Sequence, residues 1–239
     1  MQPETRFKRA RAETVGYHEQ YYSKHRLFDA GSWLEKPDPK VEELGARVAG
    51  VEGCRVLDLG AGVGRNAIPL AGLLKDGAEI TAVELLPMAA ELMTRYAAEH
   101  SVQNKVHVVC QDYEQVAFPD SNFHLVLGIS VLEHCSSHDN LVALIQRVQK
   151  STACGGIHYL SFSTSRKVHD HSTGEPIETF VETPLQTESW LKDLGELYNG
   201  WDIEILRSMP PYAEVLTYNG RQVLWSSDEL ELQARKLKD

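Results

Sequence analysis

The segment Val56-Leu57-Asp58-Leu59-Gly60-Ala61-Gly62-Val63-Gly64-Arg65-Asn66 restricts the fold more than any other part of the chain. An apolar run stops at glycines on alternate positions, and Ala67, Leu70, Ala71 and Leu74 then share one helical stripe. Such a junction reads as a buried parallel strand, a tight turn and a helix start, where the lack of a Cβ lets the backbone approach a ligand closely. Pro69 falls near the start of the helix, where a missing N–H costs least.

The following stretches repeat the alternation. Val41, Leu44 and Val48 fit a helix ahead of the junction. After it come a strand at 80–83 ending at Glu84, a helix with Ala89, Leu92, Met93 and Tyr96 on one face, and a strand at 106–109 ending at Gln111-Asp112-Tyr113. A strand at 123–129, a helix marked by Leu141, Leu144, Ile145 and Val148, and a strand at 157–162 complete the series. This order predicts an α/β fold, a doubly wound, mostly parallel sheet with helices on both faces and right-handed crossovers.

The flanks are less regular. Residues 164–184 read as a long polar loop, and Trp190, Leu194 and Leu197 as a helix ended by Asn199-Gly200. Strands are expected at 201–206 and 222–225 with a turn at Pro210-Pro211, and 228–239 as a charged tail, helical or frayed. Near the other end, Tyr17, Tyr21 and Phe28 stand at helical spacing. A helix there either packs on the domain or lids a pocket, with Tyr17, Tyr21, Tyr22 or Trp33 against the ligand. Lys36-Pro37-Asp38-Pro39 reads as a connector. The expectation is one domain over 1–239, with a helical lid at 1–40, a cofactor-binding core at 41–163, a substrate-side region at 164–227 and the tail.

Composition narrows the ligand. A formal net charge of −10 over 239 residues argues against nucleic-acid and anionic-membrane partners. The basic cluster Arg6, Lys8, Arg9 and Arg11 reads as a solvated helix face. Cys54, Cys110, Cys135 and Cys154 are scattered, which supports neither a disulfide framework nor a metal cluster. With no apolar run of membrane-spanning length and no secretory signal, the expected compartment is the cytoplasm.

In open α/β sheets the ligand lies beyond the carboxyl ends of the strands. The glycines, Glu84, Asp112 with Tyr113, and the segment 129–134 all fall on that rim. An acid at the end of the second strand suits a ribose, which leaves dinucleotides and S-adenosylmethionine. The dinucleotide fingerprint GxGxxG would place its third glycine at Arg65, and Asp58 disfavours a pyrophosphate while favouring an ammonium or sulfonium.

On these residues the sequence resembles the class I S-adenosylmethionine-dependent methyltransferases. Residues 56–64 resemble motif I, and Ala82-Val83-Glu84-Leu85-Leu86-Pro87 the second motif, whose acid holds the ribose. Gln111-Asp112-Tyr113 is similar to the segment whose Asp meets the adenine amino group, and Ile129-Ser130-Val131-Leu132-Glu133-His134 to the motif after the fourth strand. Gly155-Gly156 matches the turn before strand five. The resemblance covers about residues 40–163 and implies a Rossmann-like, seven-stranded sheet whose last strand is antiparallel. A weaker similarity, through Gly62-Val63-Gly64-Arg65-Asn66 and the segment 196–201, is to the tellurite-resistance type.

The resemblance implies S-adenosylmethionine held by Asp58, Gly60, Ala61, Gly62, Gly64, Asn66, Glu84, Leu85, Asp112, Tyr113 and Ile129. Methyl transfer is then an in-line displacement to a small-molecule acceptor, and a general base is needed only for a protonated acceptor. His134 and Glu133 are the first candidates for that base, followed by His138, His169 and His171. His134 also reads as a packing residue at its turn. No metal is expected, because His169 and His171 lack a third ligand. Alternatives are a protein or peptide methyltransferase, a cofactor-binding module without turnover and, more distantly, a dehydrogenase. The oligomeric state and the acceptor are left open.

Overall fold

A computed structural model describes residues 3–177, 182–218 and 220–238. The N-terminal helix α1 (Pro3–Lys24) precedes α2 (Pro39–Val48). Asp38 caps α2 by accepting from the Lys40 amide at 2.8 Å, with Pro39 at its first position, so the connector is the helix start signal. There follow β1 (Arg55–Leu59), α3 (Ala67–Leu73), β2 (Glu79–Glu84), α4 (Pro87–Glu99), β3 (Val106–Cys110) and β4 (Phe123–Ile129). A 3-10 turn (Leu132–His134) leads to α5 (His138–Lys150), whose cap is Ser137, accepting from the Asn140 amide. The chain ends with β5 (Thr152–Asp170), α6 (Thr187–Leu197), β6 (Asp202–Tyr218) and β7 (Arg221–Arg235).

The seven strands form one sheet in the order β3-β2-β1-β4-β5-β7-β6. The first five are parallel, and β7 runs antiparallel to both of its neighbours. Alternate side chains of the central strands feed two cores. Val56, Ile80, Ala82, Leu125 and Leu127 face α2, α3 and α4, whereas Leu57, Leu59, Val83 and Val126 face α5 and α6. Strand order reverses between β1 and β4, so the crevice at the carboxyl ends of those strands is where such a sheet admits a ligand.

The C-terminal third differs from the sequence expectation. β5 continues to Asp170, so much of the expected loop at 164–184 is strand, and residues 178–181 of it lie outside the described residues. β6 and β7 are far longer than the strands expected at 201–206 and 222–225. Pro210-Pro211 is not a turn but sits within β6, at a register shift between Met209 and Tyr212. A sheet edge tolerates prolines at a bulge because no inward ladder bond is lost there. Residues 228–235, read as part of a charged tail, belong to β7, where Leu230, Leu232 and Ala234 are fully buried. Asp239 lies outside the described residues.

The extended β6–β7 hairpin reaches the N-terminal helix, where the Tyr218 hydroxyl donates to Glu13 Oε2 at 2.8 Å. α1 therefore lies between the hairpin tip and the rim of the parallel sheet. It ends at Lys24, so Phe28, at a positive φ of 67°, does not share a helical face with Tyr17 and Tyr21. No described helix is long and apolar enough to cross a membrane.

Candidate functional site

The floor of the crevice is the turn after β1. Gly60, Gly62 and Gly64 all take positive φ, at 63°, 57° and 91°. Their roles differ. A Cβ on Gly60 would meet Val131, and one on Gly64 would meet Ile68 and Met93, so these two glycines admit the protein's own side chains. Gly62 faces the Tyr22 hydroxyl of α1, 2.8 Å from where its Cβ would stand.

Glu84, at the end of β2, accepts from the Gly62 amide at 2.8 Å and from the Leu86 amide at 2.7 Å. Both carboxylate oxygens keep further acceptor capacity toward the cleft. Burial raises its pKa, opposed by these amides. Asp58 is 2% exposed, and its Oδ2 has no hydrogen-bond partner. Burial pushes its pKa up to about 7, with the Arg65 charge opposing and the Glu84 charge adding to the shift. Asn66 Oδ1 accepts from the Asp38 amide at 3.0 Å and thereby ties the glycine turn to the cap of α2.

α1 roofs this floor and leaves two chambers that meet at His18, Tyr22, Gly60 and Ser130. The inner one is walled by Glu84, Leu85, Tyr113, Val131 and His134. The outer one is walled by Ala61, Gly62, Asn66, Ile129, Tyr17 and Trp33. His18 Nδ1 lies 2.9 Å from the Thr14 carbonyl, which can only accept, so Nδ1 carries the proton and Nε2 of the neutral ring is open to the cleft. Burial lowers the pKa of His18 and favours that neutral form.

A buried ionic cluster fastens the roof. His134 Nδ1 lies 3.2 Å from Glu182 Oε2, and Arg11 Nε lies 3.6 Å from Glu182 Oε1. Arg11 also donates to the His134 carbonyl at 2.5 Å and lies 3.7 Å from Asp112. Burial would raise the Glu182 pKa, but His134 and the neighbouring Thr14 outweigh it and hold the carboxyl at about 2. Nothing in the sequence singled out Glu182, which lies in a stretch without periodicity. Arg11 was read as part of a solvated basic face, yet it is partly buried at this junction.

The other expected site residues separate into groups. Tyr113 walls the inner chamber, and its hydroxyl donates to the Val131 carbonyl at 3.0 Å. Asp112 is occupied by Arg11 and by the Glu114 amide, which it accepts at 2.9 Å. Tyr21 stacks on Trp33 at 4.9 Å and accepts from its amide, so it braces the wall rather than forming it. Tyr17 is 58% exposed at the outer rim. Glu133 departs from the expectation: successive residues of a 3-10 turn point in different directions, and it turns away from His134 toward the Ser163 amide and a separate cavity. His138 is drawn off to Asp193, 3.0 Å away.

Residues 56–156 match the family described as methyltransferase domain. Over 107 residues, 45% of this chain, the sequence is 32% identical to sterol 24-C-methyltransferase ERG6A of Gibberella zeae, and the match covers 28% of that protein. It is 33% identical over 93 residues, 39% of this chain, to a probable chloroplastic tocopherol O-methyltransferase of Oryza sativa subsp. japonica, covering 25% of it. The chain thus spans only 25–28% of the length of these curated relatives. The structure of TehB from Haemophilus influenzae superposes with a TM-score of 0.63 at 18% identity, covering 92% of this chain and 67% of that one, which shows a shared fold. Over residues 56–156, then, the chain is similar to the methyltransferase domain family, on a fold that it shares with the solved neighbour.

Proposed function

We propose that this chain transfers a methyl group from S-adenosylmethionine to a small-molecule acceptor, with residues 1–239 acting as one methyltransferase unit. The observation that carries the reading is the pairing, at the strand-order switch, of a buried carboxylate oxygen without a partner (Asp58 Oδ2) with a second carboxylate held at the end of β2 (Glu84). The first suits an ammonium group and the second a ribose diol, so the residues present fit the cofactor.

When bound, the cofactor supplies a sulfonium methyl that is already activated toward displacement. The protein's work is alignment and exclusion of water. Glu84 would hold the ribose, Tyr113 and Leu85 would flank the base, and Asp58 would meet the ammonium. Tyr22 and His18, descending from α1, close the waist between the chambers. His18 Nε2 is placed to accept a proton from a hydroxyl, thiol or ammonium acceptor at that waist, and His134 stands beside it, ring centres 6.3 Å apart.

The small-molecule reading is supported by the roofed chambers, by the net charge of −10, and by the sterol and tocopherol enzymes among the relatives. Calorimetric titration with S-adenosylhomocysteine is the test. Saturable binding that weakens in Glu84→Ala is expected, and no binding by the folded wild-type chain would overturn the reading.

A further inference from the structure

Glu133 and the cavity it faces have no part in the scheme above. The residue is 7% exposed, and the Ser163 amide donates to its Oε1 over a long 3.4 Å. Oε2 is buried without a hydrogen-bond partner, and no cation among the described residues forms an ion pair with this carboxylate. The cavity lies between the turn after β4 and the start of α6, with Ser163, Thr164, Ser165, Thr183 and Gln186 in its lining. A kink in β5 shapes one side of it. The pairing with β7 shifts register between Thr164 and Lys167, where Ser165 takes a left-handed φ of 49°.

The protons of these hydroxyls are already committed. Thr187 donates its single proton to Asp228 Oδ2 at 2.6 Å, so it can only accept from Thr164 and Ser165, whose oxygens lie 2.9 and 2.7 Å away. Thr183 donates to the Cys135 carbonyl at 2.5 Å. What Thr164, Ser165 and Thr183 can still offer a ligand is lone pairs, and the same holds for Glu133 Oε2. The Ser163 hydroxyl makes no hydrogen bond among the described residues and is free to turn its lone pairs inward. The donor-bearing side chains of the lining are drawn off. Gln186 is exposed, and the Arg166 guanidinium lies over the Trp225 ring, 5.4 Å from its centre.

A wall of acceptors suits a ligand that only donates. Water brings lone pairs that would go unmet there, whereas an ammonium brings three N–H donors, no acceptor and the opposite charge to the carboxylate. We propose that this cavity binds the ammonium group of a primary amine, with Glu133 as its counter-ion and Ser163 and Thr183 as further acceptors. The cavity shares no lining residue with either chamber of the cleft, so the site stands whether or not S-adenosylmethionine is the cofactor.

The test is ligand-observed NMR titration of the full chain at pH 7, carried into the millimolar range expected of so small a ligand. The probes are n-butylamine, which is protonated at that pH, its neutral analogue 1-butanol, and tetramethylammonium, which carries the charge without an N–H. Wild type, Glu133→Gln and Ser163→Ala are compared, with thermal melts confirming the fold, and the butylamine titration is repeated with S-adenosylhomocysteine present.

Wild type is expected to bind butylamine saturably and about tenfold or more tighter than either control, with a loss of similar size in Glu133→Gln and a smaller one in Ser163→Ala. Binding should persist when S-adenosylhomocysteine is bound. No saturable butylamine binding by wild type, binding no tighter than that of a control, or binding unchanged in Glu133→Gln overturns the site. Displacement by S-adenosylhomocysteine also overturns it, because the amine would then lie against Asp58. If Glu133→Gln does not fold, Ser163→Ala decides, weakened binding supporting the site and unchanged binding overturning it. If S-adenosylhomocysteine does not bind, the cofactor reading has failed, and the variants decide the amine site alone.

Discussion

His134 Nδ1 and Glu182 Oε2 stand 3.2 Å apart at a junction of three chain segments. One segment is the turn after β4, one leads into α6, and the third is α1, joined through Arg11. The roof of the cleft is therefore fastened to its wall through a carboxylate almost wholly out of water, Glu182 being 1% exposed.

Glu182→Gln tests that fastening. The carboxyl sits at about 2 in the folded chain, below its ordinary 4.5, so its stabilisation is fully present above about pH 4.5 and is lost as the pH falls toward 2. Leaving His134 and Arg11 without their anion is expected to cost about 3 kcal/mol at pH 7. Urea unfolding of both proteins at stepped pH checks this, with the difference shrinking below pH 4.5.

Asp58→Asn is expected to separate stability from binding. The folded pKa of about 7 lies above the ordinary 3.8, so the fold prefers the neutral carboxyl. That preference contributes fully below pH 3.8 and is lost as the pH rises through 7. The unliganded variant should melt higher than wild type at pH 8 and bind S-adenosylhomocysteine more weakly. Wild-type affinity should rise with pH through 7, a rise absent from the variant.

Glu84→Ala removes the acceptor for the Gly62 and Leu86 amides along with the expected partner of the ribose. Binding of S-adenosylhomocysteine is expected to weaken by about 1–3 kcal/mol through lost charge-assisted hydrogen bonds. Calorimetry measures it, and an unchanged dissociation constant would refute the ribose assignment.

His158 governs part of the acid response from outside the cleft. It is fully buried, 2.6 Å from both Thr152 Oγ1 and the Tyr198 hydroxyl. Burial, with a smaller push from Lys236, lowers its pKa to about 3. The unfolded chain takes up this proton near 6.5 and the folded chain does not, so stability is present above 6.5 and falls toward pH 3. The slope from this group is about 1.4 kcal/mol per pH unit. His158→Asn should flatten the unfolding free energy between pH 6 and 4.

The floor of the cleft was legible in the sequence because its determinants are local. Strand, glycines, acid and helix fall in fixed order, and Glu84 and the glycine turn meet as that order implies. The roof was not, because Arg11, His18 and Glu182 come together only through tertiary packing of distant segments. What stands opposite each glycine was equally hidden: a Cβ would meet Val131 at Gly60, and Ile68 and Met93 at Gly64. The part of β7 from 228 to 235 was read as tail on account of its charges. Those charges are partnered within the sheet region: Asp228 accepts from the Thr187 hydroxyl at 2.6 Å, and Glu231 from Arg207 Nε at 2.7 Å. The alternation of Leu230, Leu232 and Ala234 was the overlooked signal of a strand.

The strand order -β5-β7-β6 also has a consequence in time. During synthesis β6 emerges before β7, the strand it pairs with among the described residues, while β5 presents a bare edge to the same gap. Until the ribosome releases 221–235, both edges are open to other nascent chains, and α1 lacks the hairpin tip that Tyr218 brings to Glu13. The parallel half can form early, but the completed roof waits for the last strand.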